Sequence, residues 1–363
     1  MIKLKWTIWL LSGKIKSYFS YDEESGCWNL KDRRLSLKVF DSTNTDVYFN
    51  LAMEEYLFKN CVDTEYLLLW KNHNSIVLGK HQNIFEEINL KAVEESGIQV
   101  ARRNTGGGTV FHDEQNLNYS FICNSEGDGF ADYEQFLIPV IKALNEMGIP
   151  AVKRRTSDIA IGEQKISGSA QTVKKGRVLH HGTLLYNSDL SLLKNLLKTT
   201  TGKITSKSVK SVRSDVTNIK KHMTDQSMTM AAFKDTLLEK LLPDGIEKVR
   251  LTEEDIQSIQ ALADEKYSQW EWNYGQSPKF SFEKESLVLS INGIKMPIDV
   301  KLEIIKGKIA KAEAIVDGLA NAELEETLTG VRYGYREILH KLDETQFNKT
   351  AQIKIDNLTN CFL

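Results

Sequence analysis

The sequence predicts an α+β fold: a mixed, largely antiparallel sheet flanked by helices, followed by a small α/β C-terminal domain. Three observations carry that expectation. Apolar residues recur at helical spacing from Phe49 and again from Tyr133, between strand-like runs. Several neighbouring strand-like runs are joined by turns too short for a parallel crossover, which requires antiparallel pairing and argues against a doubly wound sheet. Beyond Trp270 the chain becomes alternating strands with turns at Asn292-Gly293 and Lys306-Gly307.

Taken in order, the first 34 residues read as an extension. Trp6 to Leu11 is an apolar run too short to span a membrane, and lysines but no acid precede Asp22. Leu37, Val39 and Phe40 read as a first strand. Ala52, Met53, Tyr56 and Leu57 mark a helix, Tyr66 to Trp70 a buried strand, and Ser75 to Gly79 its expected hairpin partner across Asn72-His73-Asn74. A helix is expected from Glu86 to Ser96, ended by Gly97. A strand at Ile98 to Ala101, a glycine turn and a strand at Leu117 to Ile122 follow. Asp132 to Met147 reads as a helix, Asp158 to Gly168 as a hairpin turning at Gly162-Glu163, and Val178 to Tyr186 as a strand. Thr199 to Lys210 is polar and aperiodic, as a mobile surface loop would be. Pro243-Asp244-Gly245 breaks the pattern, and Thr252-Glu253-Glu254-Asp255 resembles a capping box. We therefore expect an extension over 1–34, a main domain over 35–246 and an accessory domain over 252–363.

Composition narrows the function classes. The chain has 363 residues, 41% hydrophobic, 26% charged, with a net charge of −2. That is a globular composition without the excess positive charge of a nucleic-acid binder, and no membrane partner is indicated. Four cysteines at unpaired spacings point to neither a zinc site nor a disulfide framework. A cytoplasmic location is expected, or a mitochondrial one if the extension is a presequence.

The most informative stretch is Arg102-Arg103-Asn104-Thr105-Gly106-Gly107-Gly108-Thr109-Val110-Phe111-His112-Asp113. Three glycines permit φ > 0 and let an anion approach the backbone N–H groups. The stretch is neither a Walker loop nor Gly-x-Gly-x-x-Gly. Two further motifs accompany it: Lys165-Ile166-Ser167-Gly168-Ser169-Ala170, with Asp158 on the preceding strand, and His180-His181-Gly182-Thr183-Leu184-Leu185.

In this order and at these separations the three motifs resemble the lipoate–protein ligase family, which shares its catalytic fold with biotin–protein ligases. The similarity continues through Ser211-Val212-Arg213-Ser214-Asp215-Val216-Thr217-Asn218 and Trp270-Glu271-Trp272-Asn273-Tyr274-Gly275. The resemblance implies that lipoate is joined to AMP at the expense of ATP and then passed to a carrier lysine. Lys165 would bridge carboxylate and phosphate, and Asp158 would hold Mg²⁺ or orient Lys165. Arg103 would be a second cation, and the amides of Gly106, Gly107 and Gly108 would hold phosphate oxygens, with Thr109, Val110 and Phe111 on the nucleotide side. Leu51, Met53 and Trp70 would form the acyl wall, with Thr105, His112 and His181 near the carboxylate or adenylate.

Implied partners are lipoate and acidic carrier domains, the E2 subunits of 2-oxoacid dehydrogenases and the glycine cleavage H protein. A basic rim of Arg154, Arg155, Lys174, Lys175, Arg177, Lys203, Lys207, Lys210 and Arg213 would meet them. Two departures stand out: Thr105 replaces the family's usual serine, and Arg155-Thr156-Ser157-Asp158 replaces Gly-Arg-Asn-Asp. Three alternatives remain open: an octanoyl or lipoyl transferase of the same fold drawing on an acyl carrier or a preformed adenylate, a non-catalytic lipoate-binding protein, and biotin as the acid. Transferases of this fold use a cysteine, but Cys123, at a strand end with no basic neighbour, reads as a core residue.

Overall fold

The computed structural model describes residues 19–22, 27–30, 37–124, 132–197, 202–212, 214–243, 245–291, 294–351 and 353–363. The apolar run Trp6–Leu11, Arg213, Asp244, the Asn292-Gly293 turn and the start of the expected loop at 199 lie outside them. The chain divides into two compact units, Met1–Leu37 and Lys38–Leu363. In the first, β1 (Phe19–Asp22) pairs antiparallel with β2 (Cys27–Leu30).

The second unit begins with β3 (Lys38–Asp41), α1 (Val47–Asn60), β4 (Tyr66–Trp70) and β5 (Ser75–Leu78). Asp46 caps α1 by accepting from the Phe49 N–H at 2.8 Å. β4 is buried along its whole length, and the expected hairpin with β5 does not form. Both edges of β4 are taken, by β3 in parallel and by β8 (Asn116–Asn124) in antiparallel register. Buried Asn50 redirects the chain, donating to the Lys71 carbonyl and to Asn72 Oδ1, both at 3.0 Å.

β5 instead becomes the middle strand of a second sheet, parallel to β6 (Gln99–Arg102) and antiparallel to β7 (Val110–His112). The glycine loop is thus a crossover past the end of β5 rather than a hairpin turn. The helix expected over Glu86–Ser96 is two, α2 (Ile84–Glu87) and α3 (Leu90–Ser96), because Asn89 starts a new N-cap on the Ala92 N–H. Gly97 ends α3 with φ 65°, as expected.

The eight-stranded sheet is completed by β9 (Val152–Lys153), β10 (Asp158–Ile161), β11 (Gln164–Lys174), β12 (Arg177–Leu185) and β14 (Glu247–Lys248), in the order β14-β3-β4-β8-β12-β11-β10-β9. Helix α4 (Glu134–Glu146) packs Phe136, Leu137, Val140 and Leu144 inward, as its periodicity required. Short α5 (Leu190–Leu196) precedes β13 (Lys203–Ser206), which lies where a mobile loop was expected. It pairs antiparallel with β15 (Phe280–Ile291). Then come α6 (Met230–Leu241), α7 (Glu253–Leu262), with the Thr252–Asp255 capping box in place, and the short α8 (Trp270–Asn273).

The accessory sheet runs β13-β15-β16-β17-β18, with β16 Ile294–Ile305, β17 Lys308–Val316 and β18 Leu319–Ala320, and α9 (Ala322–Leu328) and α10 (Tyr335–Glu344) against it. Within the second unit, packing crosses the boundary expected at 252. Ile259, Ala263 and Tyr267 share one core with α1, β4, Val77 and Ala101. They follow the break at Pro243–Gly245 yet belong with the large sheet, because the apolar stripe of α7 finds its partner on α1. A second core joins the accessory sheet to Ile76, Leu78, Phe85, Val100 and Phe111, so the small sheet is held between the two.

Candidate active site

A cavity of about 440 Å³ opens among β5, the glycine loop, the β10–β11 hairpin and β12. Leu51, Trp70, Val77, Val110 and Ala170 give it an apolar wall, while Lys165, Asp158, His112 and His181 supply its polar groups. A second cavity of about 620 Å³ adjoins it and shares Thr109, Val110, Lys165, Gly168 and Thr183. Lys165 therefore stands in the wall common to both.

Local strand geometry puts it there. Lys165 lies opposite Ala160, two residues from Asp158 on the same face of β10, and its Nζ is 2.8 Å from Asp158 Oδ1. A bulge leaves Ile166 unpaired, so that Gly168 rather than Ser167 falls opposite Asp158. A Cβ on Gly168 would lie 2.6 Å from the Lys165 Nζ, so only glycine leaves room for the ion pair in this position. The backbone of Lys165 is fixed on its other side, donating to the Asp215 carbonyl at 2.9 Å and accepting from the Thr217 N–H at 3.0 Å.

The glycine loop is tied from behind. Buried Arg102 donates to the carbonyls of Gly79, Gln82 and Asn273 at 3.1, 2.7 and 2.8 Å, and its own carbonyl accepts from the Trp272 indole at 2.7 Å. Arg103 curls back on the loop, donating to Gly106 O at 2.6 Å, Gly108 O at 2.8 Å and Val77 O at 3.1 Å. Burial pulls both guanidinium groups down to about 10, still charged at neutral pH. Gly107 takes φ 88° and passes so close to Gly79 that a Cβ there would collide with the Gly107 carbonyl. Asn104 donates to Glu55 at 2.6 Å. Burial opposes that carboxylate's charge, but hydrogen bonds from Lys266, Lys59 and Tyr267 prevail and hold it at about 2.

A buried polar chain closes the inner end of the cavity. The Trp70 indole donates to Ser120 Oγ at 2.8 Å, which donates to Glu54 at 2.6 Å. Glu54 accepts from His181 Nδ1 at 2.9 Å, and His181 Nε2 meets the Thr105 hydroxyl at 2.7 Å. The carboxylate fixes the ring proton on Nδ1, which leaves Nε2 as acceptor in the neutral ring. His112 is held by Asn72 at 3.0 Å, and burial, reinforced by Arg103 and His181, pushes its pKa down to about 3. It is thus neutral, and its Nε2 has no partner among the described residues.

Residues 46–242 match the lipoyl protein ligase A/B catalytic domain family. Lipoate–protein ligase 1 of Staphylococcus aureus is 38% identical over 85% of this chain and 94% of its own length. The chain belongs to the lipoate–protein ligase family. It is an enzyme of that class. A bipartite lipoate protein ligase from Thermoplasma acidophilum, studied with its E2 lipoyl domain, superposes at TM-score 0.57 and 25% identity, covering 66% of this chain and 96% of that one. A lipoate–protein ligase A bound with ATP gives TM-score 0.55 and 25% identity over 66% of this chain and 97% of that one.

Of the residues singled out from the sequence of this ligase, Leu51, Trp70, Arg103, Gly107, Gly108, Thr109, Val110, His112, Asp158, Lys165 and His181 line the first cavity, and Phe111 lines the second. Met53 does not: it is fully buried in the core of α1. Thr105 and Gly106 also lie outside both walls, Thr105 being hydrogen-bonded to His181. Arg103 is engaged by backbone carbonyls, and the Thr109 amide donates to Ser211 Oγ at 2.9 Å. Glu54 escaped the sequence reading, since a glutamate on a helix looks like a solvated one; only its pairing with His181 distinguishes it. The basic rim is also thinner than expected. Arg177 is buried against the Val62 and Thr64 carbonyls, Lys210 pairs with Glu86 at 3.3 Å and Arg154 with Glu163 at 3.3 Å.

Proposed function

We propose that this ligase binds the lipoate chain in the smaller cavity and ATP across the wall it shares with the larger one. A carboxylate oxygen of lipoate attacks the α-phosphorus of ATP, the bond to pyrophosphate breaks, and a lipoyl–AMP mixed anhydride forms. The amine of a carrier lysine then attacks the acyl carbon, AMP leaves, and the amine proton passes to solvent. The first step presses two anions together, so charge neutralisation and alignment dominate it. The observation that carries this reading is Lys165, whose ammonium stands in the wall common to an apolar cavity and its neighbour, steadied by Asp158 at 2.8 Å, whereas Lys210, which also lines both, is drawn to Glu86.

In this reading Leu51, Trp70, Val77 and Val110 enclose the dithiolane end. His112 offers its free ring nitrogen to the carboxylate or adenylate, and Thr105 acts by orienting His181. Gly107 and Gly108 let the phosphates approach the loop, which Arg103 holds in shape from inside. The described residues contain no group of three or more His, Cys, Asp or Glu side chains gathered as a metal site. That fits Mg²⁺ carried in on the phosphates with Asp158 as its one protein carboxylate, where it would add charge neutralisation. The carrier is a lipoyl domain of the E2 or H-protein kind. No helix among the described residues is long and apolar enough to cross a membrane, in keeping with action on carriers in the cytoplasm or mitochondrial matrix. ATP–pyrophosphate exchange compared with lipoate, octanoate and biotin tests the proposal. Exchange with lipoate is expected to exceed exchange with biotin by at least tenfold, and equal rates would overturn the assignment of the acid.

A further inference from the structure

Several cations near the site are neutralised, but one groove beside it keeps two that are not. Beyond Lys210 and Arg154, three lysines at the neighbouring accessory sheet meet carboxylates: Lys279 with Glu303 and Lys301 with Glu283 between strands, and Lys311 with Glu313 along β17. A separate groove of about 440 Å³ is lined by Lys80, His81, Lys207, Val209 and Trp272, with the buried edge of Arg102 at its base and no carboxylate in its wall. Lys80, His81 and Lys207 are exposed, and the two lysines form no ion pair among the described residues. Position matters as much as charge. Val209 lines both this groove and the smaller of the two cavities proposed to hold lipoate and ATP, so the groove and that cavity meet at one residue. Lys207 is two residues from it, within about 7 Å by chain reach.

We propose that this groove docks the acyl acceptor: a folded carrier whose acceptor lysine is flanked by carboxylates, which Lys80 and Lys207 receive while the lysine turns over Val209 into the cavity. This rests on the reading that the chain transfers an acyl group to a carrier lysine. Charge complementarity is the argument. Unneutralised cations facing a groove raise the local concentration of an acidic partner and fix its register, and they act on encounter rather than on the chemical step.

The test uses the full chain with Lys80→Glu and Lys207→Glu together, and Lys80→Gln with Lys207→Gln as the milder form. Transfer of lipoate to an apo lipoyl domain is measured beside ATP–pyrophosphate exchange, at low and high salt. The charge reversal is expected to raise KM for the lipoyl domain about tenfold at 0.1 M salt, leaving exchange and the KM for ATP within twofold. The neutral pair should fall between. The difference should shrink towards 1 M salt, where the Debye length drops from ~10 Å to ~3 Å. An unchanged carrier KM would overturn the proposal. So would a raised KM for ATP at unchanged Tm, which would make the groove a nucleotide site. Absence of lipoate-dependent exchange in the unsubstituted chain would instead overturn the proposed function and leave the groove's charge as a separate fact.

Discussion

The glycine loop and the Lys165 hairpin both face the cavity, but they are built on opposite principles. Behind the loop, Arg102 and Arg103 spend most of their donors on backbone carbonyls of the fold. At the hairpin a single ammonium has one carboxylate partner and about a quarter of its side chain exposed. The loop's charges hold a shape, whereas the hairpin's charge is free to act on what enters. Charge near a site is therefore no measure of catalytic charge until its partners are counted.

Breaking the hairpin should give the largest effect on rate. Lys165→Ala is expected to lower pyrophosphate exchange by roughly 10² to 10³, the usual loss for one transition-state charge contact. Stability should fall by about 1–3 kcal/mol, because Asp158, 7% exposed, loses its cationic partner. Exchange above a tenth of the unsubstituted rate would show that the ammonium is not the acting charge.

Breaking the loop's scaffold should show the converse. Arg102→Met leaves the buried carbonyls of Gln82 and Asn273 without donors, while Gly79 O keeps the Gln82 N–H, at about 1–3 kcal/mol for each unsatisfied group. We expect a urea unfolding free energy lower by about 3 kcal/mol, with lost activity tracking lost folded protein. A variant as stable as the parent but inactive would reverse the assignment and make Arg102 a ligand contact.

The comparison is sharpened by pH. His112 and His180 are both held down to about 3 by burial, from an ordinary value of 6.5. A histidine depressed in the folded state binds its proton more readily when unfolded, so the stability it contributes is full above pH 6.5 and lost as pH falls towards 3. Each contributes a slope of about 1.4 kcal/mol per pH unit in that window. Glu55, held at about 2, acts in the same sense but only below its ordinary carboxylate range. Replacing His180, which packs against Phe136 at 4.6 Å between ring centres, by Phe should remove about half of the slope between pH 6 and 5. An unaltered slope in urea melts at those pH values would mean that the ring titrates normally in the fold.

The smallest effect expected is that of Cys123→Ser. Cys123 sits on β8 opposite Val178 and lines neither cavity. An adenylate route needs no thiol, so ligation should stay within about twofold, allowing for a modest loss from placing a hydroxyl at a buried position. A hundredfold loss in folded protein, with an acyl thioester trapped on the parent, would favour the cysteine acyltransferase.

What the sequence determined by itself was local. The stripes of α1 and α4, the Thr252–Asp255 capping box, the left-handed Gly97 and the hairpin that carries Asp158 and Lys165 all depend on residues a few positions apart, and local spacing encodes them. The tertiary structure alone decided which edges were free. Backbone hydrogen bonds carry no residue identity, so nothing in Ser75–Leu78 says that β4 is already flanked, and nothing in Lys203–Ser206 says that β15 will receive it. The roles of Arg102, Arg103 and Glu54 were settled in the same way. Exposed and buried charged residues are the same letters, and only the partners brought from distant segments turn one into a strut, pair another with a histidine, and leave Lys165 to face the cavity.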